Sequence, residues 1–317
     1  MNKKRDTYKD IARLAKVSIS TVSRYFRRGY VSEQTKKKIR DVVELLNYYP
    51  NHGATLIRGK DPSVFVIMPA WNQNPYASIV NGIVSASKLH DKRVNVIYTS
   101  EGTNEYIETI KYILSWNATS IVIFTPNNDQ KLFEFLRTIE EDVSIVIYEH
   151  QVHGLNWIKI DETSAFNALT KEFNKHIRDS HKKILFLNDA KLNETQTNDR
   201  YSGFLLACRE ANIEHQFYTT TFKNAKFVSD FITYTRKNNI SNIVCSTHEA
   251  YISLAVLGDT NLRLTDIGYQ SIYDRIRNYK AKVFIDYPAI GVEIETMLRN
   301  HEIKKTPINK LIKVKIL

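Results

Sequence analysis

Cysteine is scarce in this chain. Cys208 and Cys245 are the only two in 317 residues, and each lies inside an apolar segment. They read as buried thiols rather than a bridge, so neither requires an oxidising compartment. Long hydrophobic runs are missing as well. No apolar stretch reaches the ~18 residues that span a bilayer. The charged N-terminus is followed by alternating polar and apolar positions, unlike an export signal. No membrane partner is therefore expected, and the cytoplasm is the expected location. The compact signatures of common enzymes are also absent: Gly-x-Gly-x-x-Gly, a Gly-Lys-Ser/Thr phosphate loop, Gly-x-Ser-x-Gly and His-Glu-x-x-His. His150 and His153 stand three apart, but a second pair of metal ligands is not evident, and a solvated loop is the simpler reading. The chain is expected to be no enzyme and to hold neither cofactor nor metal.

What is present is a lopsided charge. The net charge is +11, and residues 1–60 hold 15 Lys and Arg against 5 Asp and Glu. The remainder holds 30 against 29. A small basic head on a nearly neutral body is the footprint of a protein that docks its head on a polyanion.

The head has readable structure. Thr7 with Asp10 three residues on makes a capping box. Ile11, Leu14 and Ala15 follow at helical spacing, and Lys16-Val17 makes a short turn. Ser18 caps a second helix whose inner face is Val22 with Tyr25 or Phe26. A loop at Arg27-Arg28-Gly29-Tyr30 uses the permissive glycine, and Ser32 caps a third helix to about residue 47, with Ile39, Val42, Val43 and Leu46 on its apolar face. Two short helices across a tight turn, closed by a third, predict a helix-turn-helix domain. Ile19, Ser20, Thr21, Ser23 and Arg24 fall outside the buried stripe of the second helix. Short hydroxyls and one Arg suit a helix in a groove about 12 Å wide, where Arg takes a guanine by two hydrogen bonds.

Tyr8-Lys-Asp-Ile-Ala12, Ala15, Val17-Ser18, Thr21-Val-Ser-Arg24, Tyr30-Val-Ser32 and Tyr49-Pro-Asn51 closely resemble the head of the lactose-repressor/galactose-repressor family of bacterial transcription regulators. The resemblance runs without gaps through the head. It implies that Ile19, Ser20 and Arg24 read bases in the major groove, with Thr7, Ser18, Thr21 and Ser23 among the DNA contacts. In that family the segment after Pro50 is a hinge that folds only on the operator. Here it reads Asn51-His-Gly-Ala-Thr-Leu-Ile-Arg58, too short and too glycine-weakened to be a stable helix alone. The resemblance assigns it Asn51, His52, Ala54, Leu56 and Ile57 as DNA contacts. A family Leu that wedges into the minor groove falls at Ile57 counting from Pro50, with Leu56 as the neighbouring register.

From Ser63 the pattern changes. Short β-branched runs at 64–68, 94–98, 120–124, 144–148 and 157–160 form one set. Runs at 183–187, 215–218, 242–245, 265–268, 283–285 and 312–316 form a second, with amphipathic helical stretches between most of them. This predicts an α/β body of two lobes, each a parallel sheet flanked by helices, with a ligand cleft outside the strand C-termini. The expected domains are a helix-turn-helix head at 1–50, a hinge at 51–61 and a two-lobed body at 62–317. Lobe 1 is expected at about 62–160 and 286–303, and lobe 2 at about 161–285 and 304–317.

The body resembles the periplasmic-binding-protein-like core of the same family, less closely than the head does. Asn74-Pro-Tyr76 with Gly82 matches its first loop and helix, and Asp161 the acid that opens the second lobe. Arg200-Tyr-Ser-Gly-Phe204 matches its Arg-x-x-Gly-Phe, whose Arg holds ligand hydroxyls. Phe222 falls at an aromatic under a sugar ring, and Glu149 near an acidic pocket position. The chain departs from the family at His248-Glu249, at Gly268-Tyr-Gln270 and at Asp286. The resemblance implies effector contacts from Tyr76, Glu149, Arg200, Phe222, His248, Gln270 and Asp286. The acids Glu149 and Asp286 favour a neutral sugar over a sugar phosphate.

The resulting expectation is a repressor of carbohydrate-use genes that binds a pseudo-palindromic double-stranded DNA operator as a homodimer, under control of a small sugar or sugar-phosphate effector. A purine- or nucleoside-responsive regulator of the same family is the alternative, and a solute-binding protein a more distant one. The last segment, Lys310 to Leu317, reads as a final strand with no heptad tail, which predicts a dimer rather than a tetramer.

Overall fold

A computed structural model of the chain describes residues 6–26, 29–46, 48, 61–70, 74–177, 183–222, 224–258, 261–268, 279–304 and 306–317. The chain divides into two compact units, Met1–Gly59 and Lys60–Leu317.

The first unit has three helices among its described residues: α1 (Tyr8–Ala15), α2 (Ile19–Phe26) and α3 (Glu33–Leu45). The Asp10 carboxylate accepts from the Thr7 amide at 2.9 Å and the Thr7 hydroxyl at 2.8 Å, which fixes the start of α1. Lys16 ends α1 in the left-handed region at φ 52°, and the Val17 amide returns to the Ala12 carbonyl at 3.0 Å. Ser18 Oγ then accepts the Thr21 amide at 3.1 Å, a side-chain cap on α2. Ile11, Ala12, Ala15, Val22 and Ile39 make the core, with Tyr25, Phe26, Val42, Val43 and Leu46 around it.

Three local expectations change. Leu14 does not join the core; it is 45% exposed because Ala12, one residue off the expected stripe, faces inward instead. Gly29 is not in the left-handed region. Its lack of a side chain serves a close approach: a Cβ there would lie 2.6 Å from Arg24 Cγ. Ser32 precedes α3, but its hydroxyl donates to Thr35 Oγ1 at 2.9 Å instead of capping a backbone amide.

The second unit holds two six-stranded sheets among the described residues. The strands are β1 (Asp61–Pro69), β2 (Val94–Thr99), β3 (Ala118–Phe124), β4 (Ser144–Tyr148), β5 (Asn156–Ile160), β6 (Lys183–Asp189), β7 (Glu214–Thr220), β8 (Asn242–Cys245), β9 (Arg263–Ile267), β10 (Tyr279–Phe284), β11 (Asn309–Ile312) and β12 (Lys315–Ile316). The helices are α4 (Asn74–Lys88), α5 (Thr103–Leu114), α6 (Gln130–Arg137), α7 (Glu162–Asn174), α8 (Glu194–Glu210), α9 (Ala225–Lys237), α10 (His248–Leu257) and α11 (Tyr287–Lys304). The first sheet runs β11-β5-β4-β3-β1-β2 and the second β12-β10-β9-β8-β6-β7. Every pairing is parallel except β10 with β12.

Strand alternation distributes the core. Along β1, Val64, Val66 and Met68 enter one apolar cluster, while Phe65 and Ile67 enter another on the opposite face. Along β6, Ile184 and Phe186 join the first cluster, and Leu185 and Leu187 a third. The first cluster is therefore shared by both lobes. Glycines let helices pack at contact distance: a Cβ on Gly82 of α4 would collide with the Pro288 carbonyl of α11, and one on Gly203 of α8 with the Thr163 carbonyl of α7.

The C-terminal segment corrects the expected lobe boundary. It is not one strand in lobe 2. Residues Asn309–Ile312 pair in register with Trp157–Ile160 of the first sheet, and only Lys315–Ile316 reach the second, antiparallel to β10. Asn156 Oδ1 accepts the Ile308 amide at 2.8 Å and anchors the first piece. The Leu317 amide donates to the Lys282 carbonyl at 2.9 Å and anchors the second.

Candidate functional site

On the head, α2 buries Val22 and turns Ile19, Ser20 and Arg24 outward, with Ile19 47% exposed. Thr21 and Ser23 are half-buried flanks of that face. Ser18 Oγ lies 2.7 Å from both Ser20 Oγ and Thr21 Oγ1, so the helix start is a linked cluster of hydroxyls. Thr7 is exposed at the start of α1. Asn51, His52, Ala54, Leu56 and Ile57 lie outside the described residues.

In the body, the strand C-termini of both sheets face a narrow cleft. Arg200 of α8 is buried, at 8% exposure. Its Nη1 donates to the Ser246 carbonyl at 2.6 Å and its Nη2 to Glu162 Oε1 at 2.5 Å. Its guanidinium sits 5.8 Å from the Phe166 ring centre. Burial alone would lower the Arg200 pKa, but the Glu162 carboxylate outweighs it and raises it above the ordinary range.

Three polar bonds close the cleft. Gln196 Nε2 donates to Glu149 Oε2 at 3.0 Å, Asn193 Nδ2 donates to the Pro126 carbonyl at 2.8 Å, and Lys159 Nζ meets Asp199 Oδ2 at 2.5 Å. In each pair one residue belongs to the first lobe and the other to α8 or its cap. The space between them, lined by Glu149, His150, Lys159, Glu162, Asn193 and Gln196 among others, is ≈ 10 Å³. That is about the room for one water.

Glu149 follows β4 in a left-handed conformation, φ 73°. Non-glycine residues take that shape at a cost, which marks positions held by their surroundings. Burial, reinforced by the nearby Glu162 carboxylate, pushes its pKa up to about 7, against the opposing pull of Arg200 and Lys159. Burying Glu149 on folding therefore takes up a proton. The stability this contributes is fully present below the ordinary carboxyl range. As pH rises from there through about 7 it is lost, by up to tenfold in the folding equilibrium per pH unit. Glu149→Gln should lack this dependence. In thermal melts from about pH 5 to 8, wild type should lose stability relative to the variant as pH rises; parallel curves would restore an ordinary carboxyl to Glu149.

The remaining expected effector residues are dispersed. Tyr76 is buried against Phe124 and Tyr148, with ring centres 4.9 and 5.9 Å away, and Glu149, Glu162 and Arg200 all influence its phenol. His248 opens α10, its Nδ1 2.7 Å from Asp266 Oδ1; Asp266 also binds the fully buried Lys282 at 2.9 Å. Phe222 packs in the apolar cluster of the second lobe with Leu185 and Phe231, not among the residues lining the closed space. Asp286 is exposed and accepts the Ala289 amide at 3.0 Å, a helix cap for α11. Asp161 likewise caps α7 through the Ser164 amide at 3.0 Å. Gln270 lies outside the described residues. His150 contacts the Thr125 carbonyl at 2.9 Å, and no His, Cys, Asp and Glu cluster suited to a metal occurs among the described residues.

Several members of the site were not anticipated: Glu162, Lys159, Asn193, Gln196 and Asp199. One signal was available. The cap Asn193 and Gln196 and Arg200 of α8 fall at i, i+3 and i+7, the polar N-terminal end of the same buried stripe that continues through Phe204 and Ala207.

Residues 7–51 match the profile of bacterial regulatory proteins of the lacI family. Residues 61–226, more than half of the chain, match that of periplasmic binding proteins and the sugar binding domain of the LacI family. The chain belongs to the LacI family. It is a DNA-binding transcription regulator, not an enzyme. Catabolite control protein B of Bacillus subtilis (strain 168) is 36% identical over 122 residues, 38% of this chain and 39% of that protein. The HTH-type transcriptional regulator RegA of Clostridium saccharobutylicum is 25% identical over 296 residues, 89% of this chain and 85% of that one. The Lac repressor bound to ONPG in its repressed state has the same fold, with a TM-score of 0.82 at 15% identity over 99% of this chain and 98% of that one. The Lac repressor dimer bound to operator and the anti-inducer ONPF gives 0.78 at 17%, with the same coverage. No helix among the described residues is long and apolar enough to cross a membrane.

Proposed function

We propose that this LacI-family regulator is a cytoplasmic repressor of carbohydrate-use genes. It binds a pseudo-palindromic operator as a homodimer and responds to a small sugar or sugar phosphate taken into the cleft around Arg200. The observation that carries the DNA half is the outward face of α2, where Ile19, Ser20 and Arg24 stand on the basic head. The sugar half is supported by the sugar binding domain that the body matches. The dimer is supported by the Lac repressor dimer seen on its operator and by exposed apolar side chains just after α4 and on its neighbour β2, Leu89 at 82% and Tyr98 at 58% exposure. Lobe closure is the element the effector biases, and operator and effector must weaken or strengthen one another by the same factor.

The test is fluorescence anisotropy on duplexes from the regulator's own upstream region, with and without a carbohydrate panel. Specific binding that a carbohydrate alters is expected; binding indifferent to the whole panel would end the carbohydrate reading. Within the head, Arg24→Ala should cost about 1–3 kcal/mol and relax the preference at one base position. A uniform loss over all duplexes would instead make Arg24 a phosphate contact.

A further inference from the structure

The cleft keeps its own charge balance, and that balance bears on the chemistry of the effector. Arg200 and Glu162 form a pair whose side chains are 9% and 6% exposed. The second cation at the cleft, Lys159, is paired with the half-buried Asp199 across the lobes. Glu149 is a third carboxyl lining the same space. An Arg in a ligand cleft is ordinarily the natural partner of phosphate or carboxylate, because its planar fork fits two oxygens. Here the Nη2 side of that fork is already bound to a carboxylate within the protein.

We propose that Glu162 determines the effector class: by holding Arg200 it makes the cleft select an uncharged polyol and reject anions such as sugar phosphates. The inference rests on the reading of this cleft as the effector site. An incoming phosphate that takes Arg200 from Glu162 leaves a buried carboxylate without its cation, which is strongly unfavourable, and one that takes Lys159 leaves the half-buried Asp199 carboxylate without its partner. A hydroxyl demands no such exchange. It can donate to a carboxylate oxygen of Glu149, Glu162 or Asp199 and accept from an amide such as Gln196. Arg200 Nε–H, buried without a hydrogen-bond partner, is a donor available to one uncharged oxygen. Glu162 thus acts through Arg200 as a positioning residue.

The probes are inorganic phosphate and glucose 6-phosphate, titrated calorimetrically into the full chain. Wild type should bind neither. Glu162→Gln, which keeps the shape and removes the charge, should gain at least tenfold in affinity for both. The gain should vanish in Glu162→Gln/Arg200→Gln. Glu162→Asp, which retains the charge, should stay blind to both anions. A merely structural role for Glu162 would not produce a gain that Asp abolishes. Binding of either anion by wild type overturns the proposal, as does a folded Glu162→Gln that gains nothing. If Glu162→Gln does not fold, wild type and Glu162→Asp decide: refusal by both supports the proposal, and binding by wild type overturns it. The two readings fail separately. An anion gain in Glu162→Gln without any carbohydrate effect on operator binding would end the sugar-effector reading and leave the role of Glu162 standing. A carbohydrate response without the anion gain would do the reverse.

Discussion

Removal of residues 1–60 should abolish duplex binding altogether while the remaining body melts as it does in the intact chain. The expectation has two physical grounds. The head carries 15 basic against 5 acidic residues, while the rest carries 30 against 29, so the long-range attraction to phosphate goes with the head. The head also has its own apolar core around Ile11, Val22 and Ile39, and the body's core clusters draw on none of it. The intact chain should lose affinity steeply with salt, as expected for roughly 6–10 phosphate contacts. Anisotropy at two salt concentrations, beside a melting curve for the truncated chain, checks both parts. Specific duplex binding by the truncated chain would show that the body contributes a DNA surface of its own.

Arg200→Ala should destabilise the body by about 3–5 kcal/mol, the usual cost of removing one partner from a buried ion pair. The Glu162 carboxylate would stay buried without its cation, and the Ser246 carbonyl would lose its donor. Replacing both charges, as in Arg200→Met/Glu162→Gln, should cost far less, because no uncompensated charge remains. Urea unfolding of the two variants measures the difference. Equal losses would mean that the pair is hydrated and worth little. This expectation differs from what the motif alone suggests. An Arg read as a ligand anchor would be dispensable to the fold, whereas here it is also a strut between α7, α8 and the residue after β8.

Much of the architecture is legible in residue order because it depends on local rules. The capping box at Thr7–Asp10, the short turn at Lys16 and the hydroxyl cap at Ser18 are each specified within a few residues, and all three are observed. The strands read as near-continuous apolar runs because both faces of each sheet are covered; Ser144–Tyr148 is buried at every position. Errors arose where a periodic pattern has two equivalent solutions. Leu14 and Ala12 both lie near the stripe of α1, and only packing chose Ala12. Residues 312–316 alternate apolar and basic without a break, and alternation does not mark where a chain leaves one sheet for another.

The site divides along the same line. Arg200 and Glu149 could be placed from motif and position. Asp286 and Phe222 could not be judged, because a carboxylate that caps a helix and one that meets a ligand look alike in sequence, as do a core phenylalanine and a ring platform. By itself the sequence determined the basic head, the helix that faces outward from it, the two parallel sheets and the arginine between them. Propensity, capping and alternation act over a few residues, and net charge needs no coordinates. Only the tertiary structure decided that Glu162 neutralises that arginine, that Gln196 reaches Glu149 across the lobes and that burial raises the Glu149 carboxyl. Those properties depend on distances between residues 38 and 47 positions apart in the chain and on the exclusion of water from the cleft.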